Sequence, residues 1–297
     1  MKKFIAMVLV LVLAMSLVAC GGSSDGGVKK PSNVTGGDTT TDVQQEEQVE
    51  EATISEIVLV DEADVKITAK SLEMDEFMGP EVKLLIENNS GKDLTFQCGY
   101  AAVNGYMVDT TMSVDVANGK KANDGLTLMK SGLEDCGIDT IADMEIAFHI
   151  FETSNFETYL DTEAVQIKTS IADTYEYTYD DSGEVAYEGE GVKIVIKGIS
   201  EDASILGPGM VVYIENTGNK DVTVQTNDVS VNGYMIDTVF SSDVIEGKRA
   251  VDAITFLKSD LEENGITDIK DVELSFHIME KGEWGTGVDT DAIKITF

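Results

Sequence analysis

The sequence predicts an all-β protein made of two tandem antiparallel β-sandwiches, each with one short crossover helix. The first observation is an internal repeat: residues 103–152 recur without a gap as residues 231–280, and more than half of the paired positions are identical. Repetition at a fixed offset indicates a duplicated folding unit. The second observation is a series of short alternating apolar segments separated by turn residues, which is typical of sandwiches. The chain of 297 residues has room for two separate cores.

The first residues predict export to the cell surface. Lys2 and Lys3 precede an apolar run that is too short for a stable membrane span and ends in Leu-Val-Ala before Cys20. This ending resembles a bacterial lipobox, so we expect residues 1–19 to be a lipoprotein signal peptide and Cys20 to be lipidated. Two or more acyl chains would then hold the protein on the lipid bilayer, at the outer face of the cell membrane. An ordinary secretory signal is the alternative.

Three segments follow the signal peptide. Residues 20–53 contain the lipidated cysteine and a run rich in Gly, Ser, Thr, Asp, Gln and Glu, which predicts a disordered tether. We expect the first sandwich at residues 54–170 and the second at residues 171–297. Residues 175–179 and 184–188 flank an Asp-Asp-Ser-Gly turn signal, so we expect a hairpin or paired strand at the start of the second unit.

Alternation predicts which strand residues face each core. Asn-Gly pairs at residues 104–105 and 232–233 sit between apolar strands and predict tight hairpins, so these pairs are interpreted as turn geometry and not as a ligand site. The side chains expected to point inward are Val82, Leu84, Ile86, Leu94, Phe96, Met144, Ile146, Phe148 and Ile150 in the first unit, and Met210, Val212, Ile214, Val222, Val224, Val272, Leu274, Phe276 and Ile278 in the second.

The one helical signal in each unit is a Ser-x-x-Glu spacing followed by glycine. This spacing predicts a capping box at a helix start, in which hydroxyl and carboxylate satisfy exposed backbone N–H groups. The glycine predicts a left-handed helix end. The residues are Ser131, Glu134 and Gly137 in the first unit, and Ser259, Glu262 and Gly265 in the second.

The charge balance excludes one class of partner. The chain has 55 acidic and 21 basic residues and a net charge of −34, so it should repel nucleic acid. Calcium or basic surfaces remain open as partners, although a solvated acidic surface also explains the composition. No cofactor is expected.

Two cysteines are candidates for a disulfide bridge. Cys98 and Cys136 occur in the first unit, and both are absent from the second, where Thr226 and Asn264 stand in their places. Joint absence and an exported location favour a bridge. Two buried thiols are the alternative, because cysteine packs as a small hydrophobic residue.

Two pairs of repeated side chains are candidate ligand contacts. His149 and His277 are the only histidines, and each lies on the outward face of a predicted strand. Phe156 and Trp284 are aromatic residues in the loop that follows this strand, where an aromatic ring can stack on a sugar or anchor a protein partner. A strand histidine under a loop and an aromatic packed over a sheet end are the structural alternatives.

Six repeated aspartates are weak calcium candidates, because carboxylates on adjacent loops can supply several oxygen ligands. The EF-hand spacing is absent, and no metal-binding motif of the His-x-His or His-Glu-x-x-His type occurs, so no metal site is assigned. The aspartates are Asp109, Asp115 and Asp124 in the first unit, and Asp237, Asp243 and Asp252 in the second.

Catalysis has little support in the sequence. There is no Gly-x-Ser-x-Gly motif and no phosphate-binding glycine loop, and cysteine and histidine are not near each other along the chain. We therefore expect a protein that is not an enzyme.

The stretches EVKLLIENNSGKDLTF and MVVYIENTGNKDVTV resemble the strand, Asn-rich turn and strand of small immunoglobulin-like domains in Gram-positive surface lipoproteins. These include uncharacterised families related to the secreted immunoprotective antigens of mycobacteria. The resemblance covers each unit from about Val65 and Val192 to its end. It implies two tandem immunoglobulin-like sandwiches and carries over no catalytic or binding residue.

The sequence thus leaves three hypotheses for function. The first is a membrane-anchored bacterial surface lipoprotein whose modules bind another protein or a cell-wall ligand without catalysis. The second is an envelope enzyme or accessory subunit with an acidic, calcium-dependent site. The third is a structural spacer.

Overall fold

The computed structural model describes residues 52–297, and these residues form an all-β chain with two short helices. The expected all-β class is confirmed. The predicted signal peptide, the lipidation of Cys20 and almost all of the predicted tether concern residues 1–51 and lie outside the described residues. Within residues 52–297, no helix is long and apolar enough to cross a membrane.

Residues 54–170, called the first repeat from here on, contain eleven strands and one helix. In chain order these are β1 (Ile57–Glu62), β2 (Val65–Glu73), β3 (Glu81–Asn88), β4 (Leu94–Val103), β5 (Tyr106–Met107), β6 (Thr110–Thr111), β7 (Ser113–Val116), β8 (Lys120–Leu128), α1 (Lys130–Asp135), β9 (Asp143–Glu152), β10 (Thr158–Asp161) and β11 (Val165–Lys168).

Residues 171–297, the second repeat, follow the same order of elements. They form β12 (Glu184–Gly189), β13 (Val192–Ser204), β14 (Gly207–Asn216), β15 (Val222–Val231), β16 (Tyr234–Met235), β17 (Thr238–Val239), β18 (Ser241–Val244), β19 (Arg249–Phe256), α2 (Lys258–Glu263), β20 (Asp271–Glu280), β21 (Val288–Asp289) and β22 (Ile293–Thr296).

Each repeat contributes strands to two sheets. In the first repeat one sheet has the order β1-β2-β3-β8-β6, and the other has the order β10-β9-β4-β5, with β7 on β4 and β11 on β9. In the second repeat the corresponding orders are β12-β13-β14-β19, with β17 on β19, and β16-β15-β20-β21, with β18 on β15 and β22 on β20. All these pairings are antiparallel.

The predicted alternation of buried side chains is confirmed in both repeats, except that Val222 is only half-buried. In the first repeat Ile86, Phe96 and Phe148 are at most 1% exposed and belong to one apolar cluster, although Ile86 lies in one sheet and the two phenylalanines lie in the other. Ile214 and Phe276 take the same roles in the second repeat. Both sheets of a repeat therefore bury their apolar faces against a common core, which is the main favourable term in folding.

A buried asparagine holds the Asn-rich turn of each repeat. Asn88 is fully buried; its side-chain amide donates to the carbonyls of Lys92 and Val116 at 2.8 and 2.7 Å, and its Oδ1 accepts from the backbone N–H of Ser90 at 3.0 Å. Asn216 makes the corresponding bonds in the second repeat. The side chain satisfies turn groups that the sheets leave unpaired, which explains why the turn motif occurs in both copies.

The Asn-Gly hairpins are confirmed, but the predicted capping boxes are wrong. Asn104 and Gly105 have φ values of 49° and 85°, the conformation required by a two-residue hairpin. In α1 the N-cap is Met129, without a side-chain cap, and Ser131 lies inside the helix. The N–H of Met129 donates to the carbonyl of Asp109 at 2.8 Å, so tertiary pairing fixes the helix start before the serine. Leu257 takes this position before α2.

The predicted hairpin at the start of the second repeat does not form. Residues 171–183 contain no strand, and β12 pairs with β13, which follows it, so only the paired strand is present. Tyr177 and Tyr179 of this segment instead contact the first repeat. Tyr177 donates a hydrogen bond to the carboxylate of Asp143, whose burial favours this pairing.

The two repeats are joined by one strand contact. β5 of the first repeat pairs in parallel with β19 of the second at Tyr106 and Arg249, and this contact merges two four-stranded paths into one eleven-stranded sheet. The residues that pack around Tyr106 and Arg249 are called the repeat interface below. The candidate site lies beside this interface.

Candidate functional site

The repeat interface begins with a backbone hydrogen bond. The N–H of Arg249 donates to the carbonyl of Gly105 at 3.0 Å, at the Asn-Gly turn that precedes β5. The bond uses the outer edge of β5, which is otherwise available for pairing with another strand. The short hairpin of the first repeat thus serves as the contact strand for the second.

Aromatic rings fill the interface around this bond. Tyr106 is 5% exposed, and its ring packs edge-on against Tyr179 and Tyr213, with centroid distances of 5.5 and 6.4 Å. The guanidinium of Arg249 lies 3.6 Å from the centroid of the Tyr179 ring, and its Nε donates to the hydroxyl of Tyr213 at 3.1 Å. Burial raises the pKa of Tyr106 well above its ordinary value, so the ring stays neutral. These contacts couple both repeats and the segment between them.

Ion pairs surround the aromatic cluster. Arg249 pairs with Glu215 at 2.5 Å within the second repeat, and Lys248 pairs with Glu145 of the first repeat. All four side chains are less than one-third exposed, so solvent screens them less than it screens a surface pair. The pairing of Lys248 with Glu145 places opposite charges at matched positions across the repeat interface.

A cleft of about 730 Å³ lies beside the repeat interface and is lined by both repeats. Its walls carry mainly acidic and small side chains. Lys281 is the one basic side chain among the described residues that line it, and its Nζ lies 3.4 Å from the Asp243 carboxylate and 6.0 Å from the centroid of the Tyr100 ring. The acidic lining residues are Asp109 and Asp135 from the first repeat, and Asp202, Asp243 and Asp252 from the second.

The carboxylates of the cleft repel one another across the two repeats. Burial, followed by the charges of Asp109 and Asp135, raises the pKa of Asp252. Burial, followed by the charges of Glu134 and Asp109, raises the pKa of Asp135. An opposite charge within reach would lower both pKa values, because it favours the ionised form. The cleft therefore has the electrostatic character of a site for a cation.

The two cysteines of the first repeat are free thiols and not a disulfide. Cys98 lines the cleft, and burial raises the pKa of its thiol. Burial also raises the pKa of Cys136 to about 12, and its sulfur hydrogen-bonds the backbone of Val251 in the second repeat. Because burial raises both pKa values, both thiols stay protonated near neutral pH and are poor nucleophiles.

The two histidines pair with aspartates that sequence reasoning missed. The Nδ1 atoms of His149 and His277 lie 2.5 and 2.7 Å from Oδ1 of Asp161 and Asp289, and Nε2 of His277 lies 3.0 Å from the carbonyl of Thr286. Both pairs lie outside the cleft and join β9 to β10 and β20 to β21. The signal was present, since each histidine is followed twelve residues later by an Asp-Thr pair in both copies.

The candidate aromatic contacts are exposed but lie outside the cleft. Phe156 is 76% exposed and Trp284 is 70% exposed, each in the loop after the histidine strand. The ring of Phe156 lies 5.8 Å from that of Phe151, so it also packs over the end of the sheet. The structure places these two aromatics on separate repeats and does not bring them to a common site.

The six candidate calcium ligands do not converge within either repeat. Thr95 and Thr223 donate to the carboxylates of Asp115 and Asp243 at 2.6 Å, and Asp124 accepts from the N–H of Gly125. The exposed Asp237 donates its own N–H to the Asp260 carboxylate at 3.0 Å. No group of three or more acidic, histidine or cysteine residues with metal-binding geometry occurs among residues 52–297. Instead Asp109, Asp243 and Asp252 line the cleft from both repeats, an arrangement that no single-repeat pattern could show.

Comparison with known proteins gives little guidance. No protein-family model matches the chain, and no curated protein matches it. Solved structures with distant likeness include two bacterial proteins. A protein of unknown function from Porphyromonas gingivalis W83 has 10% sequence identity and a TM-score of 0.21, covering 79% of this chain and 100% of its own. The CupB2 chaperone of Pseudomonas aeruginosa has 12% identity and a TM-score of 0.18, covering 73% and 92%. Likeness at this level carries no conclusion about fold or function.

Proposed function

We propose that the chain is a non-catalytic binding protein, held on the outer face of a bacterial membrane through a lipid on Cys20, whose cleft receives a cationic group of a protein or cell-wall ligand. The observation that carries this proposal is the convergence of carboxylates from both repeats on one cleft, opposite a single lysine. Neither repeat could supply that arrangement alone.

The physical basis is uncompensated negative charge in a partly dehydrated space. A partly buried carboxylate without a nearby cation loses hydration and is destabilised by its neighbours. An ammonium or guanidinium group that entered would restore the lost interactions and form charge-assisted hydrogen bonds. A cleft of about 730 Å³ suits a side chain or a small ligand.

Two features of the site favour binding over catalysis. The Cys98 thiol in the cleft has a raised pKa, which suppresses the thiolate needed for nucleophilic attack. The two His–Asp pairs lie on other parts of the surface, where they join neighbouring strands.

We also propose that each repeat is an immunoglobulin-like sandwich. In its support, the two sheets of a repeat share one core, and a buried asparagine holds the turn between their strands. The antiparallel pairing of short strands fits this class.

A thermal-shift panel on the full chain tests the cleft. The probes are spermidine, a trilysine peptide, CaCl₂ and a chitin oligosaccharide. We expect the two organic cations to raise the unfolding temperature, to lose this effect in Asp252→Asn, and to keep it in Asp124→Asn, the matched position of the first repeat. Equal shifts in both variants, or a response to the neutral sugar alone, would refute cation binding at the cleft.

A separate labelling experiment tests the membrane anchor. Cells that express the wild-type chain with a palmitate analogue should yield a labelled protein in the membrane fraction. Cys20→Ala should abolish the label, whereas Cys98→Ala should keep it. Retained label in Cys20→Ala would rule out that site.

A further inference from the structure

The two Asn-Gly hairpins have the same sequence but opposite surroundings. Tyr106 of β5 is 5% exposed, whereas its counterpart Tyr234 of β16 is 51% exposed. Met107 packs against the core of the second repeat, whereas its counterpart Met235 is 65% exposed. Both turns have the same backbone conformation. The second repeat therefore presents the strand edge that the first repeat uses to bind its neighbour, including two apolar side chains that face solvent.

The receiving strand also has an exposed counterpart. Arg249 of β19 lies opposite Glu215 of β14 and forms an ion pair with it. At the matched position of the first repeat, Lys121 of β8 lies opposite Glu87 of β3 and also forms an ion pair. In the second repeat this register turns the N–H of Arg249 toward Gly105. The same register points the N–H of Lys121 away from β3 and toward the exposed edge of β8.

The charges that cross the repeat interface recur on these two surfaces. Lys248 and Glu145 form the ion pair between the repeats, and their counterparts are Lys120 and Glu273, both of which are exposed. If the β16 edge of one molecule met the β8 edge of another as β5 meets β19, Glu273 would face Lys120. Complementary charge at matched positions is a selective feature of specific interfaces.

The receiving surface on β8 is similar to that on β19 but less aromatic. Leu85 stands in place of Tyr213, and Asn123 stands in place of Val251. Leu85 is only partly buried, so apolar area remains available for Tyr234. We expect a contact between two molecules at these surfaces to be weaker than the repeat interface, since it has fewer rings and no covalent connection.

We infer that the β16 edge of the second repeat, with Tyr234, Met235 and Glu273, docks on the β8 edge of the first repeat in a second copy of this chain, with Lys120 and Lys121. The two surfaces differ, so the contact is head-to-tail and can extend into open-ended rows. This self-association is independent of any ligand in the cleft, because none of these residues lines it.

Charge reversal tests the inference through sedimentation velocity of the full chain in detergent over a range of concentrations. The wild type should associate with rising concentration. Glu273→Lys and Lys120→Glu should each lower the association constant by about tenfold or more, because each places like charges at the contact. An equimolar mixture of the two variants should associate again, since each variant then meets opposite charge on the other. The double variant should also associate by itself.

Trp284→Ser is the matched control, because it removes an exposed aromatic from another loop of the same repeat. It should associate like the wild type. The inference is overturned if the wild type is monomeric at every concentration, if both charge variants associate like the wild type, or if the mixture stays monomeric.

Photocrosslinking gives a second readout that does not depend on charge variants. Benzoylphenylalanine in place of Tyr234 should yield an adduct between two copies, with the crosslink mapping to residues 120–124 in peptide mass spectra. An adduct with a different protein, or with another part of this chain, would contradict the assignment.

Discussion

The matched residues Asp252 and Asp124 show how the cleft changes the pKa of a side chain. Asp252 and Asp124 occupy the same position of the two repeats, and each accepts a hydrogen bond from the N–H of the next residue. Asp252 differs because the cleft encloses it with carboxylates of the first repeat, which adds to burial in raising its pKa. The matched pair therefore separates the effect of the cleft from that of the local turn.

The cleft carboxylates should make stability depend on pH. Since the pKa values of Asp252 and Asp135 are raised above the ordinary 3.8, these two carboxyl groups hold more protons in the folded chain than in the unfolded chain as pH rises past 3.8. Their contribution to stability therefore falls as pH rises from 3.8 through their raised pKa values. The hydrogen bond with Lys193 lowers the pKa of Asp181. The contribution of Asp181 to stability is therefore lost as pH falls below 3.8.

We predict that Asp252→Asn raises the unfolding temperature at neutral pH by a few degrees and weakens this pH dependence, whereas Asp124→Asn leaves both nearly unchanged. Thermal unfolding between pH 3 and pH 8 measures the effect. Identical profiles for the two variants would show that the cleft imposes no extra charge repulsion.

The thiols provide a second prediction at this scale. Burial raises the pKa of Cys136 to about 12, so iodoacetamide should alkylate it slowly in the folded chain and rapidly in urea, without added reductant. Intact mass spectra count the modified thiols. Alkylation in urea that occurs only after reduction would show a disulfide between Cys98 and Cys136 and would contradict the free thiols.

At the scale of elements, the sequence is informative wherever the cause of a structure is local. The alternating strands, the Asn-Gly turns and the left-handed Gly137 follow from side-chain periodicity and backbone preference, and all are confirmed. The capping box fails because the pairing of Met129 with Asp109 decides where α1 begins. That pairing joins distant parts of the chain, so a four-residue motif could not reveal it.

The contact strand could not be identified from sequence for a related reason. β5 and β16 share Asn-Gly-Tyr-Met, and only the tertiary arrangement decides which of them is covered. The same holds for the cleft: Asp109, Asp243 and Asp252 were recognised as repeated residues, whereas Asp135 and Asp202 were not identified from the sequence. Its lining depends on the orientation of one repeat against the other, which periodicity does not contain.

This difference predicts unequal effects for the same substitution in the two strands. Tyr106→Ala should lower the free energy of unfolding by about 3 kcal/mol, because it leaves a cavity among Tyr179, Tyr213 and Arg249. Tyr234→Ala should change it by no more than about 0.5 kcal/mol in dilute solution, since its side chain is half exposed. Urea unfolding measures both values, and equal losses would contradict the buried contact of β5.

At the scale of the whole molecule, duplication produces a cleft lined by both repeats and leaves one copy of the contact strand exposed. The contact of β5 with β19 aligns the repeats, and the cleft exists because of that alignment. The corresponding edges on β8 and β16 stay exposed, with Lys120 on the first and Glu273 beside the second, as the inferred contact between copies requires. The cleft therefore depends on the contact between the repeats, and two independent modules would not form it.

Amide hydrogen exchange of Arg249 tests most directly whether the repeats form one body through β5. At concentrations where the chain is monomeric, the Arg249 amide, which donates to Gly105, should exchange at least about a hundredfold more slowly than the matched Lys121 amide, after correction for intrinsic rates. NMR of the labelled chain resolves the two sites. Equal exchange rates for Arg249 and Lys121 would show that the repeat interface is open in solution and that the cleft is not a stable feature of the protein.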